Sequence, residues 1–139
     1  MPDHPQRELQ CVVVTPEKAV LEENADFVAV PMFDGELGVL PGRAPLIGRL
    51  GYGELRLRRG TEVRRFFVDG GFVQVRANTV TVLTSRAQRA EDIDSAAVSH
   101  ALQAALAPAP TLQAHEEQLK IQERARAQLR VARHREEHR

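Results

Sequence analysis

The sequence predicts a β + α fold: an N-terminal antiparallel β-sandwich followed by a C-terminal two-helix antiparallel hairpin. Three observations predict it. Up to about Ser85 the apolar residues fall in short, often alternating runs separated by Gly and Pro, the pattern of many short strands. After Ala90 the apolar spacing becomes helical. Pro108 and Pro110 then divide the helical part in two. The 139 residues suffice for a compact unit with an appendage, which sets the boundary between a sandwich of residues 1–90 and a hairpin of residues 91–139.

The strand runs are Glu8 to Thr15, Ala19 to Glu22, Phe27 to Met32, Glu54 to Arg58, Val63 to Val68, Phe72 to Val75 and Thr79 to Thr84. In the first, Cys11 reads as a small buried residue; as the single cysteine it forms no internal disulfide, in keeping with a reducing compartment. The cleanest alternation is Glu54-Leu55-Arg56-Leu57-Arg58, which puts Leu55 and Leu57 on a core face and the charges in water. In Arg64-Arg65-Phe66-Phe67-Val68, Phe66 and Val68 share one face and Phe67 takes the other. That second apolar face is either one for the opposite sheet or a docking surface. Gly51-Tyr52-Gly53 reads as a turn, since it lacks the third glycine of a dinucleotide fingerprint and leads into a strand.

Asp92 and Asp94 are N-cap candidates for the first helix, with Ile93, Ala97, Ala101 and Ala104 at helical spacing behind them. Thr111 caps the second, whose stripe is Ala114, Ile121, Ala125, Leu129 and Ala132. The pair Glu116 and Lys120 adds only a few tenths of a kcal/mol, roughly, so packing supplies the rest. Both stripes are dominated by alanine. A buried Leu is worth about 2 kcal/mol more than a buried Ala, so such a seam holds weakly and lends itself to detachment, with a permanently docked hairpin as the alternative.

Nineteen basic and nineteen acidic residues cancel, and nothing in that balance calls for nucleic acid or an anionic membrane. Aromatics are 4% of the chain and none follows Phe72, so base-stacking platforms are missing from the basic C-terminal half. No apolar run approaches the roughly 18 residues of a membrane span, so direct membrane insertion is not expected. No constellation of acid, base and nucleophile is evident, and Gly35 to Gly42 lacks the Lys-Ser or Lys-Thr pair of a P-loop. His134 and His138, four apart, lack a third metal ligand at suitable spacing. The sequence thus predicts no enzyme, no metal and no cofactor. One local imbalance remains: from Gln118 to Arg135, six basic residues, Lys120, Arg124, Arg126, Arg130, Arg133 and Arg135, face a single acid, Glu123. Arginine forks suit carboxylates, so the stripe fits an acidic protein surface; the bland reading is a solvated face.

The segment Gly35-Glu36-Leu37-Gly38-Val39-Leu40-Pro41-Gly42-Arg43-Ala44-Pro45-Leu46 reads as a preformed loop, because three glycines permit positive φ while Pro41 and Pro45 fix it. Together with Gly70-Gly71-Phe72-Val73-Gln74-Val75, Val80-Thr81-Val82-Leu83 and Ala90-Glu91-Asp92-Ile93-Asp94, it resembles the epsilon subunit of F-type ATP synthases over nearly the whole chain.

The resemblance implies a non-catalytic rotor subunit at the cytoplasmic face of an energy-transducing membrane. Its sandwich would bind the gamma subunit and the c ring, and its hairpin would regulate ATP hydrolysis. Glu36, Leu37, Gly38, Gly42 and Arg43 match the segment that meets the c ring; Arg43 stands where relatives often carry His, making that charge permanent. Arg124, Arg126, Arg130, Arg133 and Arg135 lie on the helix that extends toward the catalytic beta subunit. Some relatives bind ATP through Ile/Leu-Asp-x-x-Arg-Ala; here Ile93 and Asp94 are followed by Ala97 and Val98 in place of Arg and Ala, which argues against ATP sensing. Competing readings are a stand-alone β-sandwich interaction adaptor and an unrecognised enzyme.

Overall fold

The computed structural model describes residues 8–137. Eight strands, β1 (Leu9–Val14), β2 (Ala19–Ala25), β3 (Phe27–Met32), β4 (Gly35–Val39), β5 (Leu46–Arg59), β6 (Glu62–Arg76), β7 (Thr79–Leu83) and β8 (Ala87–Arg89), form one hydrogen-bonded sheet in the order β2-β1-β7-β6-β5-β3-β4, with β8 pairing β6. The sheet is antiparallel except for β1 beside β7, which run parallel. The long strands β5 and β6 pair with each other along most of their length, and β6 also pairs with β8 through Phe66 to Val68 and with β7 through Phe72 to Arg76. Gly70 and Gly71, at φ +70 and +108, bend β6, and a Cβ at Gly71 would lie 1.9 Å from the Leu83 carbonyl oxygen, so only glycine fits.

Alternate residues of seven strands meet in one core, among them Leu9, Val28, Val39, Leu55, Phe66 and Val82. Cys11 lies in it, and burial pushes its thiol up to about 12.

Two sequence expectations change here. Gly51-Tyr52-Gly53 is not a turn; it runs inside β5, where its glycines admit β3: a Cβ at Gly53 would sit 2.8 Å from the Pro31 side chain. Gly35 to Val39 is not loop but strand β4, paired along its length with β3.

Helix α1 (Ser95–Ala105) and helix α2 (Leu112–Glu137) follow. Asp94 Oδ1 accepts from Ala97 N–H at 3.1 Å and Thr111 Oγ1 from Ala114 N–H at 3.0 Å, so both caps stand as expected, while Asp92 closes a short 3-10 turn. The stripes are shifted. Ile93 is extended, outside the helix, so counting from it misplaces α1 by one residue: Ala97, Ala101 and Ala104 are exposed, and Val98, Leu102 and Ala105 face inward. On α2, Ala125 and Ala132 are buried and Leu129 half-buried, but Ile121 is exposed.

A second stripe of α2 packs on the sandwich. Ala127, Val131 and Ala132 cover Phe67, Ala90 and Ile93, with Tyr52 and Val98 at the edge. The second apolar face at Phe67 is therefore a docking surface and not one for the opposite sheet, and what docks on it is the chain's own α2. Glu54 is also covered: its side chain is 9% exposed, against the expectation that it points to water.

Candidate functional site

Three surfaces gather the side chains available for partners. At one end of the sandwich, Leu40 to Arg43 close a turn in which Arg43 N–H donates to Leu40 O at 3.2 Å. Gly42, at φ +86, donates its N–H to Asn78 Oδ1 at 2.8 Å. This ties the turn to the β6–β7 hairpin, where Ala77 and Asn78 both take positive φ, as a two-residue primed turn requires. The tip is thus rigid, with Leu40 and Arg43 exposed.

Of the five residues expected there, only Gly42 and Arg43 occupy this tip. Leu37 packs on the core, and Gly38 backs onto the Phe27 ring, which a Cβ would approach to 2.9 Å. Glu36 is held by Arg56 through two contacts of 3.3 Å. The glycines and prolines of this segment signal a fixed shape, but glycine is also what a strand needs beside a phenylalanine ring, and composition does not separate the two.

The second surface is the outer face of β5, β6 and β7. Register aligns Arg49, Phe72 and Leu83 in one row and Ile47 with Gln74 in the next. Ile47 is 75% exposed, Phe72 57% and Leu83 49%. Phe33, at the β3–β4 hairpin, lies with its ring centroid 5.1 Å from the Arg49 guanidinium and is also exposed. These large apolar side chains are left in water on that face, beside Arg49 and Gln74. The sequence signal for it was large apolar residues on both faces of one strand, in Phe72-Val73 and Leu46-Ile47.

The third surface is the hairpin and its contact with the sheet. Arg124 Nε lies 2.9 Å from Asp69 Oδ2, and its guanidinium stacks 5.5 Å from the Tyr52 ring centroid. Ten residues on, His134 Nδ1 meets Glu54 Oε1 at 3.0 Å, and Glu54 also takes Arg56 at 3.2 Å and Arg65 at 3.0 Å. Burial favours the neutral form of Arg56, but the hydrogen bonds and charges of Glu36 and Glu54 outweigh it and hold the guanidinium above its ordinary value. Gln128 Nε2 donates to Gln88 Oε1 at 3.0 Å between these two charged contacts.

The five arginines therefore do not form one face. Arg124 is engaged with the sheet and Arg135 is half-buried, while Arg126, Arg130 and Arg133 are exposed. His138, the second histidine of the i, i+4 pair, lies outside the described residues. Among the described residues no three His, Cys, Asp or Glu side chains converge as metal ligands, and no helix is long and apolar enough to cross a membrane.

The ATP synthase, Delta/Epsilon chain, beta-sandwich domain family matches residues 8–90, which hold all eight strands. The chain is also 51% identical over 127 residues to the ATP synthase epsilon chain of Rhodopirellula baltica, covering 90% of this chain and 98% of that one. The chain belongs to the ATP synthase epsilon family. That alignment runs through the hairpin as well as the sandwich, so the family assignment extends to both. The epsilon chain is a non-catalytic subunit.

Among solved structures the fold is similar to a chain of the Euglena gracilis mitochondrial ATP synthase, OSCP/F1/c-ring, with a TM-score of 0.81 at 22% identity over 87% of this chain and 79% of that one. It is also similar to a chain of the Tetrahymena thermophila mitochondrial ATP synthase central stalk/c-ring, with a TM-score of 0.62 at 19% identity over 89% and 96%. At such identities the likeness concerns the fold.

Proposed function

We propose that this epsilon chain is a rotor subunit of the central stalk that couples the catalytic head to the c ring and restrains ATP hydrolysis through its C-terminal helices. Residues 1–90 serve as the assembly unit and residues 91–139 as the regulatory one. The face bearing Ile47, Phe72 and Leu83 docks on the gamma subunit, because large apolar side chains this exposed are costly to leave in water. The tip bearing Gly42 and Arg43 meets polar loops of the c ring, with Glu36, Leu37 and Gly38 supporting it from β4. The subunit sits peripherally at the cytoplasmic face of the membrane, held there by these partners.

The observation that carries the regulatory reading is the seam beneath α2. Among the described residues, α2 contributes Ala127, Val131 and Ala132 to the cluster around Phe67 and Ile93, so little apolar area resists release of the helix. Once released, α2 presents Arg124, Arg126, Arg130, Arg133 and Arg135 to the acidic surface of the catalytic beta subunit and obstructs rotation in the hydrolysis direction. Ala97 is exposed where ATP-binding relatives carry arginine, so hairpin docking here does not depend on ATP.

Truncation after Ala107 tests both units at once. The shortened chain assembles into the complex, and hydrolysis by that complex rises. Unchanged hydrolysis at equal occupancy removes the regulatory role, and failure of a folded truncated chain to assemble removes the docking role of the sandwich.

A further inference from the structure

We propose that Asp69 is the latch that holds α2 against the sandwich, and that loss of its contact with Arg124 is the step that frees the hairpin. Asp69 sits beside the glycine bend of β6 with its side chain 6% exposed. Its backbone is tied independently of the hairpin: its N–H donates to Thr84 Oγ1 at 3.1 Å and its carbonyl accepts from Ser85 Oγ at 3.1 Å. Its carboxylate is not. Oδ2 faces Arg124 Nε at 2.9 Å, and Oδ1 accepts no hydrogen bond from the described residues. The grip is therefore a charge contact more than an aligned hydrogen bond.

The other charged contact differs in the way that matters. Glu54 is as deeply covered, yet Arg56 and Arg65 of its own sheet neutralise it whether or not His134 is present. Asp69 has Arg124 alone among the described ion pairs. A covered carboxylate that loses its one cation is far more unfavourable than one that keeps two. Of the two contacts, about 15 Å apart along the helix, only the first depends wholly on α2. Arg124, about a third exposed, reaches water or another carboxylate as soon as it lets go.

This sets an order among substitutions. Arg124→Gln leaves Asp69 charged and unpaired beneath the helix, so it releases α2 most. Asp69→Asn leaves only a partly exposed guanidinium unpaired, so it releases α2 less. The double variant buries no lone charge and docks better than Arg124→Gln alone, a rescue that a purely structural role for either side chain does not give. The consequence for inhibition rests on the regulatory reading above: an acidic partner competes with Asp69 for the same arginine, so release and engagement are one exchange.

The test is hydrogen exchange of the full chain, comparing α2 amides 125–134 with β6–β7 amides 73–82 as an internal control. Expected are about ten-fold faster α2 exchange in Arg124→Gln, about three-fold in Asp69→Asn, and a return toward the Asp69→Asn rate in the double variant, with the strand amides unchanged. Arg124→Gln within two-fold of the parent, or a double variant as fast as the product of the singles, overturns the latch. Asp69→Asn keeps Arg124 for the partner, so the complex carrying it is more strongly inhibited in hydrolysis. If exchange follows the expected order while inhibition is unchanged, the latch stands and the regulatory reading falls.

Discussion

Phe66 and Phe67 are neighbours in sequence, and two different parts of the molecule bury them. Phe66 is 2% exposed within a core of Leu55, Val68, Val73 and Val82 that the strands complete among themselves. Phe67 is fully covered as well, but by Ala90 and Ile93 of the connecting segment and by Ala127, Val131 and Ala132 of the hairpin. The sandwich core is thus closed without the helices, whereas the hairpin occupies a face that the strands leave open. Valine, leucine and phenylalanine interlock in the first; mostly alanine meets phenylalanine in the second. At about 25 cal/mol per Å² of apolar surface removed from water, the alanine-lined region gains less per residue, so the hairpin is expected to be the less stable of the two.

Substituting each phenylalanine is the most forceful way to break this comparison. Phe66→Ala should lower the stability of the whole sandwich by about 3–5 kcal/mol, the cost of a large cavity in a closed core. Phe67→Ala should leave the strand core intact and loosen α2 instead. Denaturant unfolding followed in the sheet, with exchange followed in α2, separates the two. Equal loss of sandwich stability in both variants would mean that the hairpin and the core are one cooperative unit.

Charge reversal on the outer side of α2 sharpens the comparison at the surface. Arg126, Arg130 and Arg133 are exposed while the hairpin is docked, so Arg→Glu at all three should leave docking within about 0.5 kcal/mol of the parent. In the complex, the same triple variant should relieve inhibition of hydrolysis. Single Arg→Ala changes should do little, because an exposed pair contributes at most about 1 kcal/mol, and raising salt should imitate the triple variant in part. Equal inhibition of parent and variant at every ionic strength would assign the contact to apolar residues such as Ile121, Leu129 and Val131.

Much of the sandwich was legible because its signals are local. Phe27 to Met32 is a short continuous apolar run, Leu55 and Leu57 share a face by period two, and Asp94 and Thr111 stand one residue ahead of their helices. What escaped was set by tertiary contact. Gly35 to Val39 has the composition of a loop, yet β3 recruits it as a strand, and the glycines at 51 and 53 serve the close approach of Pro31 and Met32. The phase of α1 was lost because Ile93, one residue before the cap, belongs to the packed connection and not to the helix. Asp69 with Arg124 and Glu54 with His134 pair across 55 and 80 residues, and no spacing rule reaches that far. The tip was half legible: Gly42 and Arg43 stand on it, while Glu36 proved to be tied to Arg56.

Release of the hairpin requires that it open separately from the sandwich. Native-state hydrogen exchange of the full chain against increasing denaturant measures this directly. Amides of α2 between residues 125 and 134 should exchange through an opening of lower free energy and smaller denaturant slope than the β7 amides of Val80 and Val82, which should exchange only with global unfolding. If α2 and β7 amides follow one free energy and one slope, the hairpin has no opening of its own, and a switch built on its release is contradicted.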